Sequence, residues 1–297
     1  MAADPTDLDA LWNHAKPAET ERAFRELLPA VASSGDVDQH AQLLTQVART
    51  QGLQRRFDDA HATLDTVEAM LTDDTPAARI RYLLERGRAL NSGGSPAESI
   101  TLFREAWTLA PQHEQHALAV DAAHMLAIVD PTHAMAWNER ALAHAESCGD
   151  EQAGKWRGSL YNNMGWDWHD QGEYTKALDF FEKCLAFRVE TGDDVRARQA
   201  QWCVARALRA LERHDEALAR QQALAADLDR IGEADGFVHL ELGELALVRG
   251  DDETVRRQFG RAWELLSEDV NYAANNAEAL ARMKSLATGE PDGPAQA

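Results

Sequence analysis

Apolar and polar positions along this chain recur with the period of an α-helix. In "YNNMGWDWHDQGEYTKALDFFEKCL", residues 161–185, the packing candidates Tyr161, Met164, Gly165 and Trp168 fall at helical spacings, and Ala177, Phe181 and Leu185 follow at intervals of four. A polar break centred on Gly172 separates the two runs, so the stretch predicts helix, short turn, helix. No run of alternating β-branched residues is long enough to predict a strand. Abundant alanine, leucine, glutamate and arginine, with only nine prolines, favour helix throughout.

The stretch is one copy of a repeat. "QGEYTKALDFFEKCL" has counterparts in "LQRRFDDAHATLDTV", "GGSPAESITLFREAW", "LERHDEALARQQAL" and "RGDDETVRRQFGRAW", and "KPAETERAFREL" near the start matches the second of these closely. The small residue opening each second helix gives the markers Thr20, Ala60, Ser99, Ala134, Ala177, Ala217 and Val255, roughly 40 residues apart. The Ala134 copy is the weakest, because it lacks the turn glycine. Gly35-Asp36, Gly149-Asp150, Gly192-Asp193 and Gly232-Glu233 punctuate the connections. In each, glycine can end one helix in a left-handed conformation, and the acid can cap the next. One helix pair cannot bury its apolar stripe alone, so neighbouring pairs must stack.

The spaced packing positions resemble those of the tetratricopeptide repeat. Tyr161, Met164, Gly165, Trp168, Ala177 and Phe181, with Gly172 and Tyr174 at the turn, match it in the 158–190 copy. Leu83, Gly87, Leu90, Phe103, Ala106 and Pro111 match it in the 80–111 copy, and Gly243, Phe259 and Ala262 near the end. The resemblance covers about residues 6 to 288, with a spacing like the family's long-helix variant. It implies an all-α fold: a right-handed α-solenoid of about seven helix-turn-helix repeats in a single domain, 1–288. "EDVNYAANNAEALARMKSL" is expected to form a C-terminal capping helix, and 289–297 a frayed tail.

Composition narrows the class of partner. Fifty acids against 30 bases give a formal charge of −20, which opposes binding to nucleic acid and to anionic membranes. Of the bases, 25 are arginine, the cation suited to bidentate carboxylate contacts. Cys148, Cys184 and Cys203 are odd in number and widely spaced, which predicts neither a disulfide framework nor a paired metal motif. The acidic opening "MAADPTDLDALW" does not read as a signal peptide, and no segment is apolar enough to span a membrane. A cytoplasmic protein is expected.

Candidate chemistry is sparse. Asn162, Trp166 and His169 share one helical face by their spacings of four and three. The family resemblance implies that this face of each first helix lines a concave groove. In the other copies the same register yields Arg49, Arg81, Arg88, Asn91, Gln199, Trp202, Arg206 and Arg209, then Phe237, Leu240 and Glu244. Arginines gathered on an acidic protein either await an acidic ligand or pair with the chain's own acids. Asn163 matches the position at which chaperone-binding members of the family grip a terminal carboxylate. Gln199 and Cys203, however, stand where that clamp has basic residues.

His113 and His116 are three apart, and His124, His133, His144 and His169 follow irregularly. Without a His-Glu-x-x-His or paired-cysteine motif, they predict no metal site. Asp167, His169 and Asp170 do not make an acid–base set, because Asp167 and His169 diverge at a spacing of two. The expectation is a non-enzymatic scaffold, without cofactor, that binds an acidic or carboxylate-bearing protein or peptide segment. The alternative is a peptide-sensing regulator that changes curvature on binding. Homo-oligomerisation is open at this stage.

Overall fold

The computed structural model describes Leu8 and residues 11–289. Within them the chain is helical: α1 (Pro17–Ser34), α2 (Val37–Leu53), α3 (Phe57–Glu68), α4 (Pro76–Ser92), α5 (Pro96–Leu109), α6 (His116–Val129), α7 (Ala134–Ser147), α8 (Glu151–Gly154), α9 (Arg157–Asp170), α10 (Tyr174–Glu190), α11 (Asp194–Ala210), α12 (His214–Ile231), α13 (Gly236–Arg249), α14 (Asp252–Glu268), α15 (Val270–Asn275) and α16 (Ala277–Thr288). No strand occurs among the described residues. The expected tail lies, apart from Gly289, outside the described residues, as does most of the acidic N-terminal segment. No helix is long and apolar enough to cross a membrane.

The chain divides into two compact units, Met1–Leu160 and Tyr161–Ala297, with the division inside α9. In the first, consecutive helices from α1 to α7 pack against one another, and α2 also packs on α4. In the second, α10 to α14 pack in sequence and α16 closes on α14. These helices thus bury their apolar stripes against chain neighbours, as stacked pairs require.

Local chemistry explains the boundaries. Pro17, Pro76 and Pro96 open α1, α4 and α5, where the missing N–H costs no helical hydrogen bond. Gly35, Gly149, Gly192 and Gly232 all have left-handed φ of 69° to 79°. Asp36, Asp150 and Asp193 cap the helices that follow, accepting from the N–H groups of Gln39, Ala153 and Arg196. After Gly232 the cap is Asp235, not Glu233: its carboxylate accepts from Phe237 and Val238, because Asp235 directly precedes α13, whereas Glu233 closes the end of α12 with its N–H on the Leu228 carbonyl.

Within a pair, small residues let helices approach. A Cβ on Gly87 would stand 2.6 Å from the Phe103 ring, one on Gly243 would stand 2.9 Å from Phe259, and Gly165 meets Phe181 as closely. Phe103, Phe181 and Phe259 are fully buried. The same face of α12 carries Gln221, fully buried, whose amide has no hydrogen-bond partner among the described residues. In the weak Ala134 copy a 3-10 turn, Pro131–His133, replaces the glycine turn. The single capping helix expected at the end is two, α15 and α16, broken at Asn276.

Candidate functional site

The expected site residues fall into two sets, one in each unit. In the first unit, Arg49 on α2, Arg81 and Arg88 on α4 and Asp121 on α6 share one side of the first helices. Arg49 Nη1 donates to Glu85 Oε1 at 3.1 Å, and Arg88 Nη1 donates to the same oxygen at 2.6 Å. Arg88 Nη2 also donates to both oxygens of Asp121. Arg81 Nε donates to Gln42 Oε1 at 3.1 Å.

Arg49 further stacks over Trp12, 5.5 Å from the ring centroid, and Trp12 Nε1 donates to Gln46. Trp12, Gln46, Arg49, Arg81, Asp121 and Trp156 are among the residues around a cavity of about 320 Å³. Arg49, Glu85 and Arg88 border a second of about 160 Å³. Asn91, in the last turn of α4, borders neither.

Burial raises the stakes of this network. It disfavours charge on Asp121, but Arg88 and Arg49 outweigh it and hold the carboxyl below its ordinary range. Burial likewise opposes the charge on Arg88, and Asp121 and Glu85 outweigh it, so the guanidinium stays ionised. The positive charge anticipated for an acidic ligand is therefore met, at Arg49 and Arg88, by the protein's own acids.

The second unit builds a different face. Trp166 on α9, Trp202 on α11, Phe237 on α13 and Tyr272 on α15 stand in file, with ring centroids 5.9, 5.9 and 5.4 Å apart in turn. Trp202 Nε1 donates to the Phe237 carbonyl at 3.0 Å, and Phe237 is 38% exposed. His169 meets the edge of Trp166 at 5.2 Å. Burial and then the Arg206 charge lower its pKa, so the ring is neutral at neutral pH.

Arg206 lies over both tryptophans, 5.9 Å from Trp166 and 5.6 Å from Trp202. Its Nη1 is 3.6 Å from Glu241, whereas Arg209 holds both Glu241 oxygens directly. Arg206 keeps a third of its side chain exposed, 33%, beside the rings.

The remaining candidates are peripheral to this file. Asn162 Oδ1 accepts from the Cys203 thiol at 3.8 Å, and Asn163 is half-buried on the same helix. Gln199 is exposed. Burial pushes the Cys203 thiol up to about 12, so it is no nucleophile at neutral pH. The fold pairs His116 with His144 rather than with His113.

Sequence reasoning missed the partners of these residues. Glu85, Asp121 and Glu241 follow their arginines 32 to 36 residues later, and Tyr272 follows Phe237 by 35. That repeat-length offset was the available signal. Residues on equivalent helical turns of consecutive first helices become neighbours, whatever their chemistry.

Stacked helix pairs with one chemically distinct face define a helical-repeat protein. Residues 157–191, which cover α9 and α10, match the family model described as "Tetratricopeptide repeat". That pair of helices is a tetratricopeptide repeat. No curated protein matches it in sequence.

Among solved structures, it is similar to the apo form of RapI, with a TM-score of 0.74 and 13% identity over 95% of this chain and 79% of that one. It is also similar to NprR in complex with its cognate peptide NprX, at 0.53 and 15% over 96% and 85%. A signal transduction ATPase with a tetratricopeptide repeat sensor, from Pyrococcus horikoshii, gives 0.66 and 13% over 93% of this chain, which spans only 42% of that protein. At such identities the likeness is one of fold.

Proposed function

We propose that this protein is a non-enzymatic scaffold that binds a protein or peptide segment on the aromatic face of its second unit. The observation that carries this reading is the file Trp166–Trp202–Phe237–Tyr272, roofed by Arg206. Rigid aromatic rings offer large contact area at little cost in conformational entropy, and Trp, Tyr and Arg dominate the energetics of interfaces. Each ring comes from a different helix, so the file is set by helix packing and is organised before a ligand arrives.

A carboxylate on that segment has a natural partner in Arg206. The guanidinium carries five N–H donors, and its contact with Glu241 at 3.6 Å satisfies at most one. An acidic side chain or chain terminus next to an apolar or aromatic residue therefore suits the face, the first at Arg206 and the second between the rings. Arg49 and Arg88, already clamped by Glu85 and Asp121, organise the first unit instead.

A second reading is supported by the shared fold of NprR, solved with its cognate peptide, and of the archaeal repeat sensor. In that reading the chain is a peptide-responsive regulator whose curvature changes on binding. Small-angle scattering separates the two, since a passive scaffold keeps its dimensions when the segment is added.

The test of the site is direct. A partner captured from native lysate is titrated against Trp166→Ala and Arg206→Ala variants. Each should weaken binding at least about tenfold, near 1.4 kcal/mol or more, as expected for residues that anchor an interface. Unchanged affinity in both variants rules out this face.

A further inference from the structure

Packing of α6 against α7 collects three metal-ligating side chains in the first unit, one of which, His116, also borders the cavity of about 320 Å³. His116 is the first residue of α6, His144 lies in the last turn of α7, and Cys148 is the C-cap of α7. Because the two helices are antiparallel neighbours, the start of one lies beside the end of the other. Nδ1 of His116 stands 3.1 Å from Nε2 of His144. With the Cys148 Sγ, the three ligand atoms all lie within 4.8 Å of one another. His144 and Cys148 are four residues apart on one helical face, and the Cys148 N–H donates to the His144 carbonyl at 3.0 Å, which fixes the turn between them. Trp107 meets the His144 ring at 5.5 Å and supports it.

We infer that His116, His144 and Cys148 form a binding site for a zinc-class divalent ion, with three protein ligands and an open fourth position. Two imidazoles bound tetrahedrally to zinc at about 2.0–2.1 Å place their nitrogens roughly 3.3 Å apart, close to the separation here. A Zn–S bond of about 2.3 Å needs Sγ roughly 3.6 Å from each nitrogen, within reach of a side-chain movement of about 1 Å by the half-buried Cys148. Two imidazoles and a thiolate are a borderline-soft donor set, which selects zinc-like ions over magnesium or calcium.

Binding would replace the proton shared by the two rings. Each imidazole would stay neutral with its N–H on the other nitrogen, and the Cys148 thiol proton would pass to solvent. The ion would tie the start of α6 to the end of α7.

The full chain, stripped with a chelator, is titrated with Co²⁺ as the spectroscopic stand-in and with Zn²⁺ as competitor. The expected result is one ion per chain, with visible bands of a tetrahedral site and a thiolate-to-cobalt charge-transfer band. Cys148→Ser should abolish the charge-transfer band. His116→Gln and His144→Gln should weaken binding at least about tenfold, while His113→Gln leaves it unchanged. Zn²⁺ should raise the melting temperature of the wild type and not that of His144→Gln. Absence of the charge-transfer band in the wild type overturns the site, even if the variants fold poorly. Equal affinity in the wild type, Cys148→Ser and His144→Gln does so too, because the ion then sits on unrelated histidines.

Discussion

The first and second units place arginines on the same register of their first helices and put them to opposite uses. In the first, Arg88 keeps only 16% of its side chain exposed and is gripped by Glu85 and Asp121, so the charges answer one another. In the second, Glu241 is buried beneath Arg209, while Arg206 is drawn up over Trp166 and Trp202 with donors to spare. The residue type alone does not decide whether an arginine is architecture or recognition. What decides it is how many acids lie one repeat away and whether aromatic rings compete for the guanidinium.

The largest expected effect tests that contrast. Asp121→Ala leaves Arg88 buried with only Glu85 as counterion and should cost about 3 kcal/mol, at the low end for breaking a buried pair. Glu241→Ala should cost less, because Arg206 and Arg209 are more exposed and can turn to solvent. Denaturant unfolding of the two variants gives the order. A larger loss for Glu241→Ala would break the comparison.

The next effect has the opposite sign. Gln221 sits fully buried with an amide that is unpartnered among the described residues, on the face where other second helices place Phe103, Phe181 and Phe259. Gln221→Leu should stabilise the chain by about 1 kcal/mol, since it removes a desolvated polar group and keeps the volume. A loss of stability would show that the amide holds a structural role that packing does not reveal.

The smallest effect is a pH dependence. Burial is the main cause that holds His124 and His144 in the first unit, and His169 in the second, below their ordinary value of 6.5. The unfolded chain therefore binds more protons than the folded one between each folded pKa and 6.5. Stability should fall as pH drops from 6.5 through that window and level off below it. Imidazole resonances followed by NMR should titrate with midpoints under 6.5, and midpoints above it would contradict the burial seen here.

Much of this was legible in the chain. Helical periodicity, the glycine turns and the small-against-large pairs such as Gly87 with Phe103 come from local sequence, and local sequence carries helix boundaries well. Trp166 and Trp202 were placed on a common face by register alone. Less legible was everything set by contact between repeats. The acids that neutralise Arg49 and Arg88, the meeting of His116 with His144, and Tyr272 as the end of the aromatic file join residues about 28 to 36 positions apart. The break at Asn276 was missed although the weak helix formers Asn275 and Asn276 stand together there.

The central claim is that the aromatic face of the second unit, rather than the charged cavity of the first, is where a partner binds. Isothermal titration of one captured segment against Trp202→Ala and Arg81→Ala tests it most directly. Trp202→Ala should lose at least about tenfold in affinity, with Arg81→Ala close to the wild type. The reverse order, with Arg81→Ala crippled and Trp202→Ala unaffected, would contradict the account.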